Sequence, residues 1–316
     1  MRRPEFHCVG PVVLDRIIRV DRIPGPDDKA FVSSKQDSAG GPARNVAFAL
    51  AGWGERVTAA SVVGDDGVGQ RLLERLSEAG VGTDAIERVP DLETASCTII
   101  LDKSGERAIL IEPIDEVVLA RIGSGLRPAA GDAVLMNLFH DHAAFDLLAG
   151  ARSAGALAFI DLEWPEIGRW GWAAAKRAAA VADVVVTNRQ VLKAFAEERG
   201  MVVDDAAAAV LAQELRPAGD RVCVTLGADG VLARDGNRLL RVSAMPVTPQ
   251  NTTGAGDRFL AGLARALTAG IPFDRSLAHG VAAAGLYLSG SGENWADVER
   301  ASATVNVRNL LAGVLS

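Results

Sequence analysis

Asn251-Thr252-Thr253-Gly254-Ala255-Gly256-Asp257 is the stretch that decides the fold, and the apolar run Phe259-Leu260-Ala261-Gly262-Leu263-Ala264 follows it. Apolar residues recur at helical spacing in that run, which predicts a helix beginning at the glycines. The first backbone N–H groups of a helix have no intrahelical acceptor and lie at the positive end of its dipole. We therefore expect the helix start Gly254–Asp257 to form an anion site, with phosphate as the usual ligand.

Asp257 allows two interpretations. A carboxylate in the first helical turn is ordinarily a partner of the helix dipole. Beside a bound phosphate it could instead act as a general base that takes a proton from an attacking hydroxyl. Because Gly254 and Gly256 have no Cβ, a bulky ligand can approach the backbone closely there. The N–H groups of Ala255, Gly256 and Asp257 are the expected donors to the phosphoryl group.

Two rival glycine motifs do not fit. A dinucleotide-binding fingerprint needs a third glycine or alanine where this chain has Phe259. A P-loop ends in Gly-Lys-Ser/Thr, and the sequence contains no Gly-Lys pair. What remains is a phosphate-binding helix start outside both classes.

The stretch from Asn251 to Gly262 resembles the second signature of the ribokinase-like (pfkB) carbohydrate kinase family, although the family's usual first residue is Asp. Further landmarks of that family occur in the family's order along the chain. They are Asp15, Gly40-Gly41 with Asn45, Gly64-Asp65-Asp66, Asn188 and Thr225-Leu226-Gly227. Six ordered landmarks are far more specific than any single motif.

The pattern of apolar runs predicts an α/β fold. From residue 132 onwards, sheet-length apolar runs alternate with alanine-rich helical segments, which is typical of a parallel sheet covered on both faces. Residues 6–14 are interpreted as a buried first strand that ends near Asp15. We expect one ribokinase-like domain over residues 1–316, a central mostly parallel sheet flanked by helices with a small β-sheet lid. The lid strands should lie within about residues 15–38 and 95–112.

The resemblance implies where an acceptor would bind. In the family, the aspartate matching Asp15 holds sugar hydroxyls, and two glycines before a helix give a ligand access to the backbone. Gly40, Gly41 and Asn45 match that second element. Arg107 follows the turn of a predicted hairpin and has two readings, contact with an anionic substituent of the acceptor or a solvated strand residue.

The resemblance also implies a nucleotide site. Asn188 matches the strand-end asparagine near the nucleotide phosphates, while Thr225, Gly227 and Gly230 match the segment that lines the ATP site. The family has a glutamate three residues after the asparagine that acts through Mg²⁺, and here that position is Val191. ATP and Mg²⁺ are the expected cofactors. Because Asn251 replaces an aspartate that helps to hold a monovalent cation, we expect only weak K⁺ activation.

Composition narrows the remaining possibilities. The 316 residues are 49% hydrophobic and carry a net charge of −7, which argues against disorder and against a nucleic-acid surface. Three single cysteines in apolar stretches indicate reduced core residues, and no signal peptide or membrane span is expected, so we predict a cytoplasmic protein. His140-Asp141-His142 allows a metal interpretation, but adjacent residues rarely converge on one ion, and we assign no metal ligands.

The sequence thus predicts an ATP-dependent phosphotransferase acting on a hydroxyl of a sugar or sugar-derived molecule. Two alternatives stay open: a catalytically drifted sugar or nucleotide sensor, and a nucleoside kinase of the same family. The expected partners are the sugar-like substrate and ATP, with a homodimer through the lid as a further possibility.

Overall fold

The computed structural model describes residues 2–139, 141–217, 221–249, 252–291 and 294–310. The strands are β1 (Glu5–Val9), β2 (Val13–Val20), β3 (Val32–Gly40), β4 (Arg56–Gly64), β5 (Gly82–Val89), β6 (Ser96–Leu101), β7 (Arg107–Ile111), β8 (Ala133–Asn137), β9 (Leu157–Leu162), β10 (Val184–Asn188), β11 (Arg221–Thr225), β12 (Val231–Asp235), β13 (Arg238–Val242) and β14 (Val307–Asn309). The helices are α1 (Pro42–Gly52), α2 (Gly67–Glu78), α3 (Glu116–Gly125), α4 (Asp141–Ser153), α5 (Trp164–Val181), α6 (Arg189–Glu198), α7 (Asp205–Leu215), α8 (Ala255–Thr268), α9 (Phe273–Ser289) and α10 (Trp295–Ser302).

A large, mostly parallel sheet forms the centre of the molecule, as the sequence predicts. Within the described ranges its ten strands have the order β14-β13-β12-β11-β10-β9-β8-β1-β4-β5. From β11 to β5 all neighbouring pairs are parallel, and the pairs from β11 to β14 at the other edge are antiparallel. The predicted α/β class with a central, mostly parallel sheet is therefore confirmed.

Helices cover both faces of this sheet because alternate residues of a buried strand point to opposite sides. In β10, for example, Val184 and Val186 pack into one core cluster and Val185 into the other. The first cluster includes buried residues of α1, α2, α8, α9 and α10, and the second includes those of α3 to α7. The helix that begins at the glycine stretch thus lies on the same face as α1.

A separate four-stranded sheet has the order β3-β2-β6-β7. The predicted hairpin of β6 and β7 is confirmed at both its bounds, Ser96–Leu101 and Arg107–Ile111. Its turn is fixed by Asp102, whose Oδ1 accepts a hydrogen bond from the Ser104 N–H at 2.8 Å. We call this small sheet the lid sheet.

The first strand differs from the prediction over residues 6–14. β1 ends at Val9, and β2 begins at Val13 in the lid sheet. Pro11 between them has no N–H to offer to a ladder, and Val12 instead donates its N–H to Ser61 Oγ at 3.1 Å. Asp15 is consequently the third residue of β2 and does not end a strand of the large sheet.

The order of the large sheet reverses direction beside β1. Strands β4 and β5 follow on one side of β1, whereas β8, β9, β10 and β11 follow on the other. Ligands of open α/β sheets bind at such a switch point, outside the carboxyl ends of the strands. At that edge the chain leaves β1 for the lid sheet and returns from β3 to α1.

In the described part of the chain, no helix is both long and apolar enough to span a membrane.

Candidate active site

The loop before α8 has a backbone geometry that requires glycine. Gly254 has φ 84° and ψ −1°, a left-handed conformation that residues with a Cβ rarely adopt. A Cβ at this position would also lie 3.2 Å from the Tyr287 hydroxyl. That hydroxyl donates a hydrogen bond to the Thr253 carbonyl at 2.9 Å. Tyr287 of α9 therefore fixes the turn that starts α8.

Fewer backbone N–H groups of this turn are available to a ligand than the sequence predicts. The Ala255 N–H, which we expected to face a phosphoryl group, donates to the Thr252 carbonyl at 3.3 Å. Within the described part of the chain, the N–H groups of Gly256 and Asp257 have no backbone acceptor. The expectation for Ala255 is corrected because the tight turn uses its N–H internally. The anion hole is left with the other two donors.

Asp257 lies against α1. The Asn45 side-chain amide donates to Asp257 Oδ2 at 2.8 Å, across 212 positions of sequence. The oxygen of the same side-chain amide also has a partner, since Arg44 Nη1 donates to Asn45 Oδ1 at 3.1 Å. An amide whose oxygen accepts from a guanidinium must present its NH₂ to the other side. The orientation of Asn45 follows from both contacts.

The Asp257 carboxyl group holds its proton more tightly in the folded protein than it would in water. Burial raises its pKa to about 7, and the negative charges of Glu163 and Asp15 add to the increase. The hydrogen bond from Asn45 and the positive charge of Arg258 act in the opposite direction. A carboxylate with a pKa near neutrality is matched to general-base work, because it can both hold and release a proton.

Asp15 reaches this region from the lid sheet. A Cβ at position 40 would lie 2.1 Å from the Asp15 carboxyl carbon, so Gly40 leaves the space that this carboxylate fills. Gly41 has φ 95°, and a Cβ there would meet the Pro11 carbonyl at 2.3 Å. Burial raises the pKa of Asp15 to about 6, while the charge of Arg44 lowers it.

A groove of about 850 Å³ runs beside the start of α8, within the size range of small-molecule sites. It brings together all the predicted nucleotide-binding residues and part of the glycine stretch. The residues that matter here are Arg107, Glu163, Asn188, Thr225, Gly227, Gly230, Ala255 and Gly256.

Local hydrogen bonds shape the wall of this groove. Asn188 ends β10 and caps α6, with its Oδ1 accepting from the N–H groups of Gln190 and Val191 at 2.9 and 3.1 Å. Gly230 has φ 79°, and a Cβ there would lie 2.0 Å from the Val242 carbonyl. Thr225 Oγ1 donates to the Thr187 carbonyl at 3.2 Å. At Gly230, therefore, a larger residue would require the backbone of this wall to shift.

Arg107 crosses from the lid sheet to the loop before α8. Its Nη1 donates to Thr253 Oγ1 at 3.0 Å and to Thr252 Oγ1 at 3.3 Å. It also lines the large groove, together with the residues predicted to bind the nucleotide. Contact of Arg107 with an anionic substituent of the acceptor stays a prediction.

Three polar residues at strand ends line the two cavities of this region, although the sequence gives little indication of this. Glu163, one residue after β9, lines the groove, and burial raises its pKa while Arg107 lowers it. Asp161 is 6% exposed, and burial raises its pKa well above the usual range. With Asp257 and Asn137 it lines a cavity of about 10 Å³, roughly the room for one water. The only sequence signal for these residues is their position at the carboxyl ends of strands.

No preformed metal cage is present in the described residues, since no group of three or more His, Cys, Asp or Glu side chains could hold an ion. Val191, at the position where the family has glutamate, is fully buried in the core. His140 of the triplet at residues 140–142 lies outside the described residues, as does Asn251 with the prediction on K⁺.

Comparison with known proteins identifies relatives along almost the whole chain. A model described as "pfkB family carbohydrate kinase" matches residues 4–295. The ATP-dependent ribose-1-phosphate kinase of Halopiger xanaduensis is 30% identical over 258 residues, covering 80% of this chain and 81% of that protein. The ribokinase of Haemophilus influenzae is 25% identical over 297 residues, covering 92% and 94%.

The fold is shared with solved structures as well. A crystal structure from Agrobacterium tumefaciens, provisionally named a ribokinase, superposes with a TM-score of 0.78 at 25% identity. The match covers 96% of this chain and 98% of that one.

Proposed function

The chain belongs to the pfkB family of carbohydrate kinases, and from that membership we propose that it transfers the γ-phosphoryl group of ATP to a hydroxyl of a sugar or sugar-derived molecule. One observation carries the proposal. Asp257 accepts a hydrogen bond from Asn45 and feels the negative charge of Asp15, while the preceding residues Ala255 and Gly256 line the large groove. This arrangement supports a base and an anion hole between the two candidate ligand sites.

The proposed chemistry is a direct transfer. ATP lies in the groove beside Asn188 and Gly230, and its γ-phosphorus faces the two open amides. The acceptor hydroxyl, oriented by Asp15, bonds to that phosphorus as the bond to the bridging oxygen of ADP breaks. Asp257 accepts the hydroxyl proton. Positioning and stabilisation of charge supply most of the rate in such transfers.

The groove also fits a magnesium ion that arrives with ATP. Mg²⁺ usually takes one or two protein carboxylates together with phosphate oxygens and water, so a missing protein cage is no obstacle. Glu163 is the carboxylate that lines this groove, next to Asn188 on the neighbouring strand. Glu163 would hold the ion, a role that the apolar side chain of Val191 cannot take. When bound, Mg²⁺ would neutralise charge on the phosphate oxygens.

The names of two relatives indicate which acceptors should be considered. One relative is a ribokinase, and another is a ribose-1-phosphate kinase. Both a neutral sugar and a sugar that already carries a phosphate are therefore within the range of the family.

We further propose one α/β domain over residues 1–316 that dimerises through the lid sheet. Apolar side chains of β7 face solvent, and Leu110 is 61% exposed. Such residues are typical of a covered surface. Sedimentation of the wild type and of Leu110→Lys tests this arrangement: a dimer that becomes a monomer supports it, and a monomeric wild type rejects it.

The test of the main proposal is a screen of acceptors with MgATP, in which ADP formation and product mass are both measured. The candidates are ribose, fructose, their phosphates, a keto-deoxy sugar acid and a nucleoside. Phosphorylation of any sugar-type acceptor above ATP hydrolysis supports the proposal. ATP and sugar binding without any product would indicate the sensor instead, and phosphorylation of the nucleoside alone would indicate a nucleoside kinase.

A further inference from the structure

Arg44 of α1 has a buried N–H donor that no acceptor in the described part of the chain satisfies. It lies in the first turns of α1, directly before Asn45, and its guanidinium carbon sits 3.7 Å from the centre of the Phe48 ring. Nη1 donates to Asn45 Oδ1, but Nε is buried with no hydrogen-bond partner. A buried donor without an acceptor is unfavourable, and more so when it is charged. The side chain is held in place, and one of its donors is unused.

The positive charge of Arg44 is not neutralised by protein. Within the described ranges Arg44 makes no ion pair with any carboxylate, and even Asp15, which attracts it, stays beyond ion-pair distance. Burial lowers the pKa of the Arg44 guanidinium. A partly buried cation that lacks a counterion is unfavourable unless a ligand supplies one.

A second arginine adds to the same positive field. Arg258 directly follows Asp257 and Arg44 directly precedes Asn45, so each partner of the Asn45–Asp257 hydrogen bond has an arginine beside it in sequence. The Arg258 guanidinium lies over the Tyr287 ring, 4.9 Å from its centre. The positive charge of Arg258 lowers the pKa of Arg44. An anion between or beside them would oppose that effect.

This positive region lies on the acceptor side of the site. Arg44 and Arg258 do not line the large groove that fits ATP, whereas Arg107 does. Arg44 is linked to Asp257 through a single side chain, Asn45, by two hydrogen bonds. Asp257 and Arg44 are therefore close enough for one small sugar to contact both. Its hydroxyl would reach Asp257, and a second substituent of the same sugar would lie beside Arg44.

We propose that the acceptor carries an oxyanion, a phosphate or a carboxylate, which Arg44 binds with help from Arg258. This inference rests on the proposed function and specifies its substrate class. A guanidinium suits the task because its planar donors match oxyanion geometry and its charge persists at all relevant pH values. The acceptor is thus a sugar phosphate or a sugar acid, and neutral sugars are poor substrates.

The experiment compares acceptors that differ by one oxyanion: ribose with ribose-1-phosphate, fructose with fructose-6-phosphate, and a neutral deoxy sugar with the keto-deoxy sugar acid. The wild type should give the anionic member the higher kcat/KM. In Arg44→Met, kcat/KM for that member should fall on the order of 10- to 100-fold, mainly through KM, and the neutral member should change less than about 3-fold. The first two pairs test a phosphate and the third a carboxylate.

A purely structural role of Arg44 gives a different pattern. If Arg44 only orients Asn45, its replacement lowers kcat for both members of each pair equally, and the proposal is overturned. Equal use of both members by the wild type also overturns it. Arg44→Lys, which keeps the charge, should retain part of the preference and covers the case in which Arg44→Met does not fold. Arg121→Met is the matched control, because Arg121 pairs with Glu87 far from the site.

Binding separates this inference from the proposed function. Calorimetry measures the affinity of the sugar phosphates for both proteins in the presence of a non-hydrolysable ATP analogue. If no acceptor is phosphorylated but the wild type binds sugar phosphates at least about 10-fold more tightly than Arg44→Met, the anion site stands and the kinase proposal fails. Equal binding by both proteins rejects the anion site whatever the activity.

Discussion

The two ends of the candidate active site are built differently. The phosphate end consists of backbone: the left-handed turn at Gly254, the open amides after it, the cap at Asn188 and the close approach at Gly230. The proposed acceptor end consists of polar side chains from three separate elements, Asp15 from β2, Arg44 and Asn45 from α1, and Asp257 from α8.

The difference bears on what each end can select. In the proposed mechanism, backbone amides bind the phosphoryl group that every ATP brings, and a turn built on glycine is enough for that task. Charged side chains of fixed orientation distinguish one acceptor from another, because a mismatched partner leaves a buried polar group unpaired. We expect changes at the phosphate end to affect all acceptors equally and changes at the acceptor end to affect them selectively.

Asp257 joins the two ends, and its loss should have the largest effect. Asp257→Asn should reduce kcat by about 10²–10⁴ for every acceptor, because the hydroxyl proton loses its base. The Kd of ATP should change less than about 3-fold, since the amides stay in place. Steady-state kinetics and calorimetry measure both quantities. Asp274→Asn, at another first-turn aspartate on α9, is the matched control and should keep full activity.

Gly254 tests the phosphate end alone. Gly254→Ala places a Cβ in left-handed backbone and against Tyr287, so we expect a loss of about 1–3 kcal/mol in unfolding free energy. We also expect kcat to fall about 10-fold for all acceptors, because the anion hole depends on that turn. Denaturant melts and kinetics provide the measurements.

Gly80→Ala separates strain from function. Gly80 has φ 81° but no neighbour within 4 Å of an added Cβ, and it follows α2, which contributes no residue to the lining of the large groove. It should lose stability and keep kcat. If both variants lose kcat to the same extent, the turn before α8 has no special role.

Glu163 tests how the groove holds magnesium. Glu163→Gln should raise the Mg²⁺ concentration for half-maximal ADP binding about 10-fold, a typical cost of losing a metal-orienting carboxylate. Titration calorimetry at several Mg²⁺ concentrations measures this without turnover. Glu166→Gln is a close control because burial raises the pKa of Glu166 to about 8, so the native side chain is largely uncharged at neutral pH. An unchanged Mg²⁺ requirement in Glu163→Gln would exclude the role.

Asn45 should have the smallest effect, a shift in pH dependence. The Asn45 hydrogen bond stabilises the charged form of Asp257 and so lowers its pKa. Asn45→Ala removes that bond, and the pH below which activity falls should move upwards. A pH–rate profile of the variant measures the shift, with Asn294→Ala at the cap of α10 as the control. A shift to lower pH would contradict this account of Asp257.

The sequence was informative wherever local chemistry determines structure. The glycine stretch, the β6–β7 hairpin and the alternation of strands and helices each depend on neighbouring residues, and the predicted elements are present. The edge strand β5 was not predicted, because its half-exposed residues, Asp84 and Glu87 among them, do not form an apolar run. The first strand was overextended because Pro11 was not recognised as its end.

The acceptor end was predictable only in part. Family landmarks pointed to Asp15 and Asn45, but the contact of Asn45 with Asp257 joins positions 212 residues apart. No local pattern predicts that Arg44 has no ion-pair partner among the described residues, since this follows from the packing of α1 against α8 and the lid sheet. Long-range side-chain geometry is therefore what the structure adds to the sequence.

The most direct test is the pH dependence of kcat/KM for the wild type and for Asp257→Asn, measured from about pH 5 to about pH 9. Because burial raises the pKa of Asp257 to about 7, the wild-type value should rise with pH up to that point and then level off. The variant should be slow and should lack this rise. A variant that retains the same rise, or a wild type that is fully active at pH 5, would contradict the assignment of Asp257 as the base.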